Sequence, residues 1–516
     1  MFKRWGQLLL PIFLLTACGR PATTPAIPTA EISPVPAIAT QPDAADATVA
    51  QSGDATSRPP APTRAAPAVP GMPIPTPAGR PTDIYTVQPG DTLSAIAHYR
   101  CGCEMEELMA LNNIEDPSGL QAGQSLRIPV QIDRVGPTRQ LLPDSEVVYS
   151  PSYVGFDVAG FILEKGGYLA TYTQQVSGQE RTGAQLVEMI SQDFSVGPRV
   201  LLALLEYQSR WVTSAPTTEL EQEFPMSLGH GGQAGLYFQL SWAANRVNEG
   251  YYGYKRHGMV AFTFADRGRA LTADGLNAGT VGIQNVLAMT MDWETWRQAV
   301  DADGFIRTYQ ALFGDPYARA IEPLVPADLT QPTLSLPWEG GHTWYLSGGP
   351  HGAWFGGSAW AALDFAPPDV RGHCGISNEW GTAAAPGLVL RAGDGKVLID
   401  LDWDGYEQTG WVLFYLHLAT DDDLQPDTVL AQGDPVGHPS CLGGTGDSSH
   451  LHIARRYNGE WMAADGPVPM VLSGWRPVNG LAPYEGQLVK GDEVRQACEC
   501  WEEDVNGIAS DNTVLR

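Results

Sequence analysis

The sequence predicts a multidomain protein with a small β-α-α-β domain, a mainly α middle domain and a mainly β C-terminal domain. Three observations lead there. At 516 residues the chain is too long for one hydrophobic core. Its 41 prolines are unevenly spread, and the Pro-, Ala- and Thr-rich stretch over 18–82 has too few aromatics to offset chain entropy by burial, so it reads as a linker. Beyond it the hydrophobic pattern changes character: strand and turn signals over 83–130, helical spacing over 140–330, then short strand-like runs between Gly-rich turns over 335–475. Residues 476–516 read as an acidic tail. The formal charge of −27 excludes nucleic acid as a partner, because a phosphate-binding surface needs a basic face. It also excludes attachment to anionic lipid by charge alone.

At the N-terminus, Lys3 and Arg4 precede an apolar run from Leu8 to Leu15 that is too short for a permanent membrane span. The run ends in Leu15-Thr16-Ala17-Cys18, which resembles the lipobox of bacterial lipoproteins. The resemblance implies a signal peptide over 1–17, lipidation of Cys18, and a mature protein exported and anchored by its acyl chains to the outer face of a bacterial membrane. An oxidising compartment permits disulfides among the other six cysteines, for which 15 pairings exist. Cys374 and Cys441 fall within one domain and are the expected bridge. Cys101/Cys103 and Cys498/Cys500 are two distant Cys-x-Cys pairs, and a disulfide clamp between them is one use of the tail. The Cys-x2-Cys spacing of a structural zinc site is absent.

In residues 83–130, Ile84-Tyr85-Thr86-Val87 is a strand pattern, and Asp91 or Thr92 caps a helix carrying Ile96, Ala97 and Tyr99. Glu104 to Leu111 is a second helix, and Gln124 to Pro129 a second strand. Tyr85-Thr86-Val87-Gln88-Pro89-Gly90-Asp91-Thr92-Leu93, Leu111-Asn112 and Gln124-Ser125-Leu126-Arg127-Ile128-Pro129 resemble a LysM domain. That resemblance implies binding to N-acetylglucosamine-containing chains such as peptidoglycan, in a groove made here by Gly90, Asp91 and Thr92 with Asn113 and Ile114. Cys101 and Cys103, between the helices, depart from the common pattern.

In the middle region, Gly183–Ile190 and Arg199–Tyr207 carry apolar residues at helical spacing. Leu201 to Trp211, Ala234 to Gln239 and Leu276-Asn277-Ala278-Gly279 resemble, in order, three short motifs of the lysozyme-like lytic transglycosylases. The family places its acid where this chain has Gln208, and an amide cannot protonate a glycosidic oxygen. Glu206, two residues earlier on the helix, faces nearly the opposite way and is expected to pair with Arg210 at i,i+4. The region therefore reads as a glycan-binding or structural remnant.

Seven of the ten histidines fall between His342 and His452. His450-Leu451-His452 has strand spacing that turns both imidazoles into one cleft with Leu451 behind, after the Gly-rich approach from Gly443 to Ser449. Phe414-Tyr415-Leu416-His417-Leu418 places another histidine in a strand, and Gly433-Asp434-Pro435-Val436-Gly437 is a turn between strands. With Leu363-Asp364-Phe365 upstream, these segments resemble lysostaphin- and LytM-type zinc metallopeptidases. The resemblance implies Asp364 and His452 as ligands of Zn2+, and His417 and His450 as the catalytic pair. The family's first ligand, four residues before Asp364, is Trp360 here, and indole does not bind zinc. His351, reached through the glycine-containing loop 352–359, is the first candidate to replace it; His373, beside Cys374, is the second.

Three functions follow from these resemblances. One is a peptidoglycan-binding lipoprotein with zinc metalloendopeptidase activity on cell-wall peptides. Another is a non-catalytic LytM-type module that binds peptidoglycan or activates other wall hydrolases, as Trp360 and Gln208 suggest. A transglycosylase supported by the β-domain is a third.

Overall fold

A computed structural model describes residues 82–87, 91–97, 103–117, 120–121, 123–129, 134–228, 233–258, 260–266, 268–421, 424–444, 446–480 and 482–511. The expected signal peptide, Cys18, the linker, Gly90 and Cys101 lie outside the described residues. No helix among the described residues is long and apolar enough to cross a membrane.

The first folded region is β1 (Thr82–Thr86), α1 (Leu93–Ile96), α2 (Met105–Asn112) and β2 (Ser125–Pro129), with β1 and β2 antiparallel. Thr92 caps α1 by accepting from Ala95 N, and α2 ends where Asn113 takes a left-handed φ of 53°. Asn112 ties α2 to β2 by exchanging both amide bonds with Arg127. Val87, Leu93, Ile96, Leu108, Leu126 and Ile128 fill a small core of their own.

The middle region is mainly helical, as expected. It runs α3 (Asp144–Val147), α4 (Val158–Lys165), a hairpin of β3 (Thr173–Val176) and β4 (Gln179–Thr182), α5 (Gly183–Phe194), α6 (Pro198–Ser209), α7 (Glu219–Glu223), α8 (Leu236–His257), a hairpin of β5 (Ala261–Thr263) and β6 (Arg269–Leu271), α9 (Ala278–Ala288), α10 (Trp293–Ala299) and α11 (Phe305–Phe313). Thr182 and Gln185 form a capping box that starts α5, and Ser195 in left-handed conformation ends it. Pro198 then opens α6 at a position that needs no N–H. Residues 200–205 of α6 are buried all round, so this helix is central. Beside it the buried Glu146–Arg199 pair is also held by the Tyr153 and Tyr309 hydroxyls.

The C-terminal region is mainly β. Its strands are β7 (Thr343–Gly352), β8 (Trp360–Ala366), β9 (Gly381–Thr382), β10 (Gly387–Gly393), β11 (Lys396–Asp400), β12 (Trp411–Leu416), β13 (Leu418–Ala419), β14 (Val429–Leu430), β15 (Pro435–Pro439), β16 (Leu451–Tyr457), β17 (Glu460–Trp461), β18 (Arg476–Asn479), β19 (Gly486–Lys490), β20 (Glu493–Gln496) and β21 (Gly507–Ala509). The main sheet is ordered β14-β10-β11-β12-β16-β8-β7-β21, with β17 paired to β16 and every pairing antiparallel. Alternation sends its side chains to two different cores. Leu363, Phe365, Leu413, Tyr415, Leu451 and Ile453 face a core within the β-region. Ala362, Val412, Phe414 and Ala454 face the other way, into a core continuous with the helices. A sheet buried on both faces explains the unbroken apolar run of Trp411–Leu416.

The segment expected as an acidic tail folds. β18, β19 and β20 form a three-stranded sheet, and β21 adds to the main sheet beside β7. Its period-2 pattern is short and diluted by charge, so burial against β7 decides its structure. Cys498 bonds to Cys500, so the expected clamp onto the Cys101/Cys103 loop does not form.

Candidate metal centre

Three neighbouring strands build the site. His452 on β16 lies directly opposite Asp364 on β8, and Gly348 on β7 lies opposite Asp364 from the other side. His351 pairs with Ala362, two residues from Asp364, so it shares that face of the sheet. The β7/β8 ladder shifts register between Gly348 and His351, and such a bulge re-aims a side chain. Gly348 is required there, because a Cβ would stand 2.7 Å from Asp364 Oδ2.

One donor atom from each of His351, Asp364 and His452 falls within 4.8 Å of the others, and all three residues are buried. Hydrogen bonds assign the tautomers. His351 Nδ1 donates to Gly349 O at 2.8 Å, which leaves Nε2 bare. His452 Nε2 donates to Ala353 O at 3.1 Å, which leaves Nδ1 bare. The two bare nitrogens face each other at 3.1 Å. Asp364 Oδ1 stands 3.0 Å from His452 Nδ1, and its Oδ2 is 3.3 Å from His351 Nε2. Two lone pairs and a carboxylate turned on one another repel unless a cation or proton lies among them. Burial, with the neighbouring His452, holds His351 down to about 4, so its imidazole is neutral at pH 7. Burial alone would raise Asp364, but the facing imidazoles, His351 foremost, outweigh it and keep the carboxyl well below the usual range. Two imidazole nitrogens and one carboxylate are a donor set that zinc takes in a three-ligand site.

The other two expected histidines lie on loops at the end of the same face. His417 is not within a strand, as its sequence pattern suggested: β12 ends at Leu416, and His417 turns the chain at a φ of 63°. Its Nδ1 donates to Leu442 O at 2.9 Å. Burial, then the neighbouring His450, lowers His417 to about 3. His450 precedes β16, and its Nδ1 donates to Ser448 O at 2.8 Å. The two rings lie 4.5 Å apart between centroids, and His450 Nε2 is 3.8 Å from Asp364 Oδ1. The Gly-rich loop covers them closely. A Cβ at Gly444 would stand 3.1 Å from the His417 ring, and one at Gly446 would stand 3.4 Å from His450.

His373 is exposed, with Nδ1 bonded to Arg371 O, and lies outside the His351, Asp364 and His452 group. Trp360 begins β8, and its ring carries the Arg256 guanidinium at 3.6 Å, so packing against α8 occupies that position. Cys374 and Cys441 form a disulfide. Sequence reasoning missed Tyr484, whose ring stacks on His351 at 4.1 Å. Burial and then Asp364 raise its phenol to about 12, so it keeps its proton. No local pattern marks it, because it reaches the site from the segment expected as a tail.

Of the expected glycan groove, Asp91 accepts from the Tyr85 hydroxyl at 2.7 Å and Thr92 caps α1. Asn113 ends α2, and Ile114 packs against the small core. In the middle region, Gln208 is held by Thr290 and Ser227. Glu206 does not pair with Arg210, as expected from i,i+4 spacing. Its carboxylate instead accepts from Val212 N, Thr213 N and the Thr213 hydroxyl, fastening the turn after α6. Gln239 and Asn277 bond neighbouring backbone carbonyls.

Comparison with known proteins divides the chain along the same lines. Residues 85–129 match the family described as LysM domain, and residues 140–326 match the family described as LasA, N-terminal domain. Protease LasA from Pseudomonas aeruginosa (strain UCBPP-PA14) is 25% identical over 329 residues, covering 60% of this chain and 73% of that protein. Similar solved structures include the M23 metalloprotease pseudoalterin from the deep sea, with 21% identity, TM-score 0.28, 33% of this chain and 96% of that chain. They also include the catalytic domain of lysostaphin from Staphylococcus simulans, with 19% identity, TM-score 0.18, 25% of this chain and 89% of that chain. The chain is thus similar to LysM domains, to the N-terminal domain of LasA and to M23 peptidases.

Proposed function

We propose that this protein is a zinc metallopeptidase that cuts peptidoglycan peptides, held on glycan by its LysM region and exported and anchored through Cys18. The observation that carries the reading is the convergence of His351 Nε2, Asp364 and His452 Nδ1 as three proton-free acceptors in one buried cluster. These residues would hold Zn2+. When bound, zinc supplies Lewis acidity toward water and toward a peptide carbonyl.

The remaining steps belong to the chain's own residues. His417 is neutral at pH 7, and its bond to Leu442 O leaves Nε2 as an acceptor that orients a proton. His450 is likewise oriented through Nδ1, so its Nε2 is presented beside Asp364. Tyr484 keeps its phenolic proton and braces the His351 ring. The backbone carbonyls of Gly349 and Ala353 fix the two ligand tautomers. The middle region is a structural or glycan-binding remnant of a lysozyme-like domain. Gln208 in place of an acid and the backbone role of Glu206 support that reading.

The test is zinc content of the purified chain, with peptide-bond cleavage measured as free amino groups released from peptidoglycan. Zinc near one per chain together with amino-group release supports the reading. Stoichiometry near zero at micromolar free zinc overturns it. Full zinc without amino-group release returns the protein to the non-catalytic alternative.

A further inference from the structure

The ligand cluster and the two other histidines are held by different kinds of structure. His351, Asp364 and His452 stand on β7, β8 and β16, inside the main sheet. His417 turns the chain between β12 and β13, His450 pairs as an isolated bridge with Ser440 just before β16, and the segments beside both meet at the Cys374–Cys441 disulfide.

Bonds on either side of Cys441 reach His417. Ser440 N and Ser440 Oγ both donate to His417 O, at 2.7 and 3.0 Å. Leu442 O accepts from His417 Nδ1. The residues beside Cys374 hold Ser449, the residue before His450. Ser449 N donates to His373 O, Gly375 N donates to Ser449 Oγ, and Ser449 Oγ donates to Gly375 O. Residues 373 and 375 flank one half-cystine, residues 440 and 442 the other. The loop between Cys441 and His450 carries the three glycines Gly443, Gly444 and Gly446, so its own backbone supplies little stiffness. His417 also sits at positive φ, a conformation that a side-chain-bearing residue keeps when surrounding bonds impose it.

We propose that the Cys374–Cys441 bridge is a positioning element for the site, fixing His417 and His450 while the sheet alone fixes the metal-holding cluster. This rests on the peptidase reading above and adds a redox dependence to it. A dithiol reductant such as dithiothreitol breaks the S–S bond, delivers two electrons and two protons to give two thiols, and is itself oxidised to its cyclic disulfide. The opened protein keeps its metal-binding cluster and loses the fixed tautomer of His417.

The experiment uses the full chain with Cys374→Ser and Cys441→Ser together, and Cys498→Ser with Cys500→Ser as the control for the other bridge. Three readouts are taken: zinc per chain, the rate of amino-group release from saturating peptidoglycan, and the His417 ring nitrogens by NMR of 15N-histidine-labelled protein, assigned with His417→Gln. The expected result is unchanged zinc, a rate lower by roughly 10- to 100-fold, as for a slightly misplaced catalytic group, and a His417 Nδ1 signal averaged between tautomers. The control keeps all three. Ser440→Ala keeps the bridge and gives a smaller loss of the same signature, so the idea survives a double variant that fails to fold. A rate within about twofold of wild type with an intact His417 signal overturns the proposal. So does zinc lost in proportion to rate, which makes the bridge a general scaffold. If the wild-type chain holds zinc but releases no amino groups, the peptidase reading fails, and the His417 signal alone decides the role of the bridge.

Discussion

The helical and β-rich regions each depart at one residue from the motifs that their sequences resemble, and the surroundings of the two departures differ. In the β-rich region Trp360 stands in a ligand position and stacks under Arg256 instead. Yet a bulge in β7 turns His351 onto the same sheet face, and the cluster has three donor atoms again. In the helical region Gln208 stands where the motif it resembles has an acid, and its amide is bound by Thr290 and Ser227. The adjacent carboxylate, Glu206, is spent on three donors of the turn at 212–213. A departure from a motif therefore leaves a cluster of donors only where the fold brings an equivalent group to the same atoms. A sheet supplies substitutes readily, since every second residue of each neighbouring strand shares the face. A helix side chain two positions away points elsewhere.

This contrast can be broken experimentally. The largest effect is expected from His452→Ala or His351→Ala, each of which takes zinc from about one per chain to near zero at micromolar free metal, since catalytic zinc keeps three protein ligands. A His351→Ala chain that retains its zinc would remove the substitution argument. Gly348→Ala comes next. The new methyl must displace Asp364, which costs ~1–3 kcal/mol of stability in thermal unfolding and weakens zinc binding. The metal-free protein should also lose stability in acid. His351 is held near 4 when folded and sits near 6.5 when unfolded, so its contribution is complete above about 6.5 and is lost as the pH falls toward 4. Melting temperatures across that window should fall less steeply in His351→Gln. Trp360→His should cost ~1 kcal/mol through the lost Arg256 stacking and leave zinc at one per chain. Zinc lost from that variant would show that the Trp360 ring supports the cluster rather than standing apart from it. Gln208→Glu has the smallest expected effect. Digested glycan should gain no 1,6-anhydro ends, and their appearance would mean that an acid was all the helical region lacked.

Much of this is legible in the residues alone. Local apolar patterning separated the three regions: α5 buries residues at helical spacing, whereas α6 and β12 are continuous apolar runs told apart by length and by the β-branched and aromatic residues of β12. Asp364, His417, His450 and His452 were legible as candidates because they lie in short patterns whose neighbours are also patterned. What depended on distant pairings was left to the tertiary structure. Whether His351 or His373 would stand beside Asp364 turned on a register shift between β7 and β8, and register depends on long-range packing rather than on the local chain. Tyr484 and the strands after residue 475 were hidden for the same reason: β21 is a strand because β7 offers it an edge. The left-handed turn at His417 was read as strand because Phe414 to Leu418 is apolar at every position but His417. Bonds from Ser440 and Leu442, both more than twenty residues away, impose the turn instead. Local chemistry chose which residues can bind a metal or carry a proton, and the pairing of strands far apart in the chain chose which of them meet.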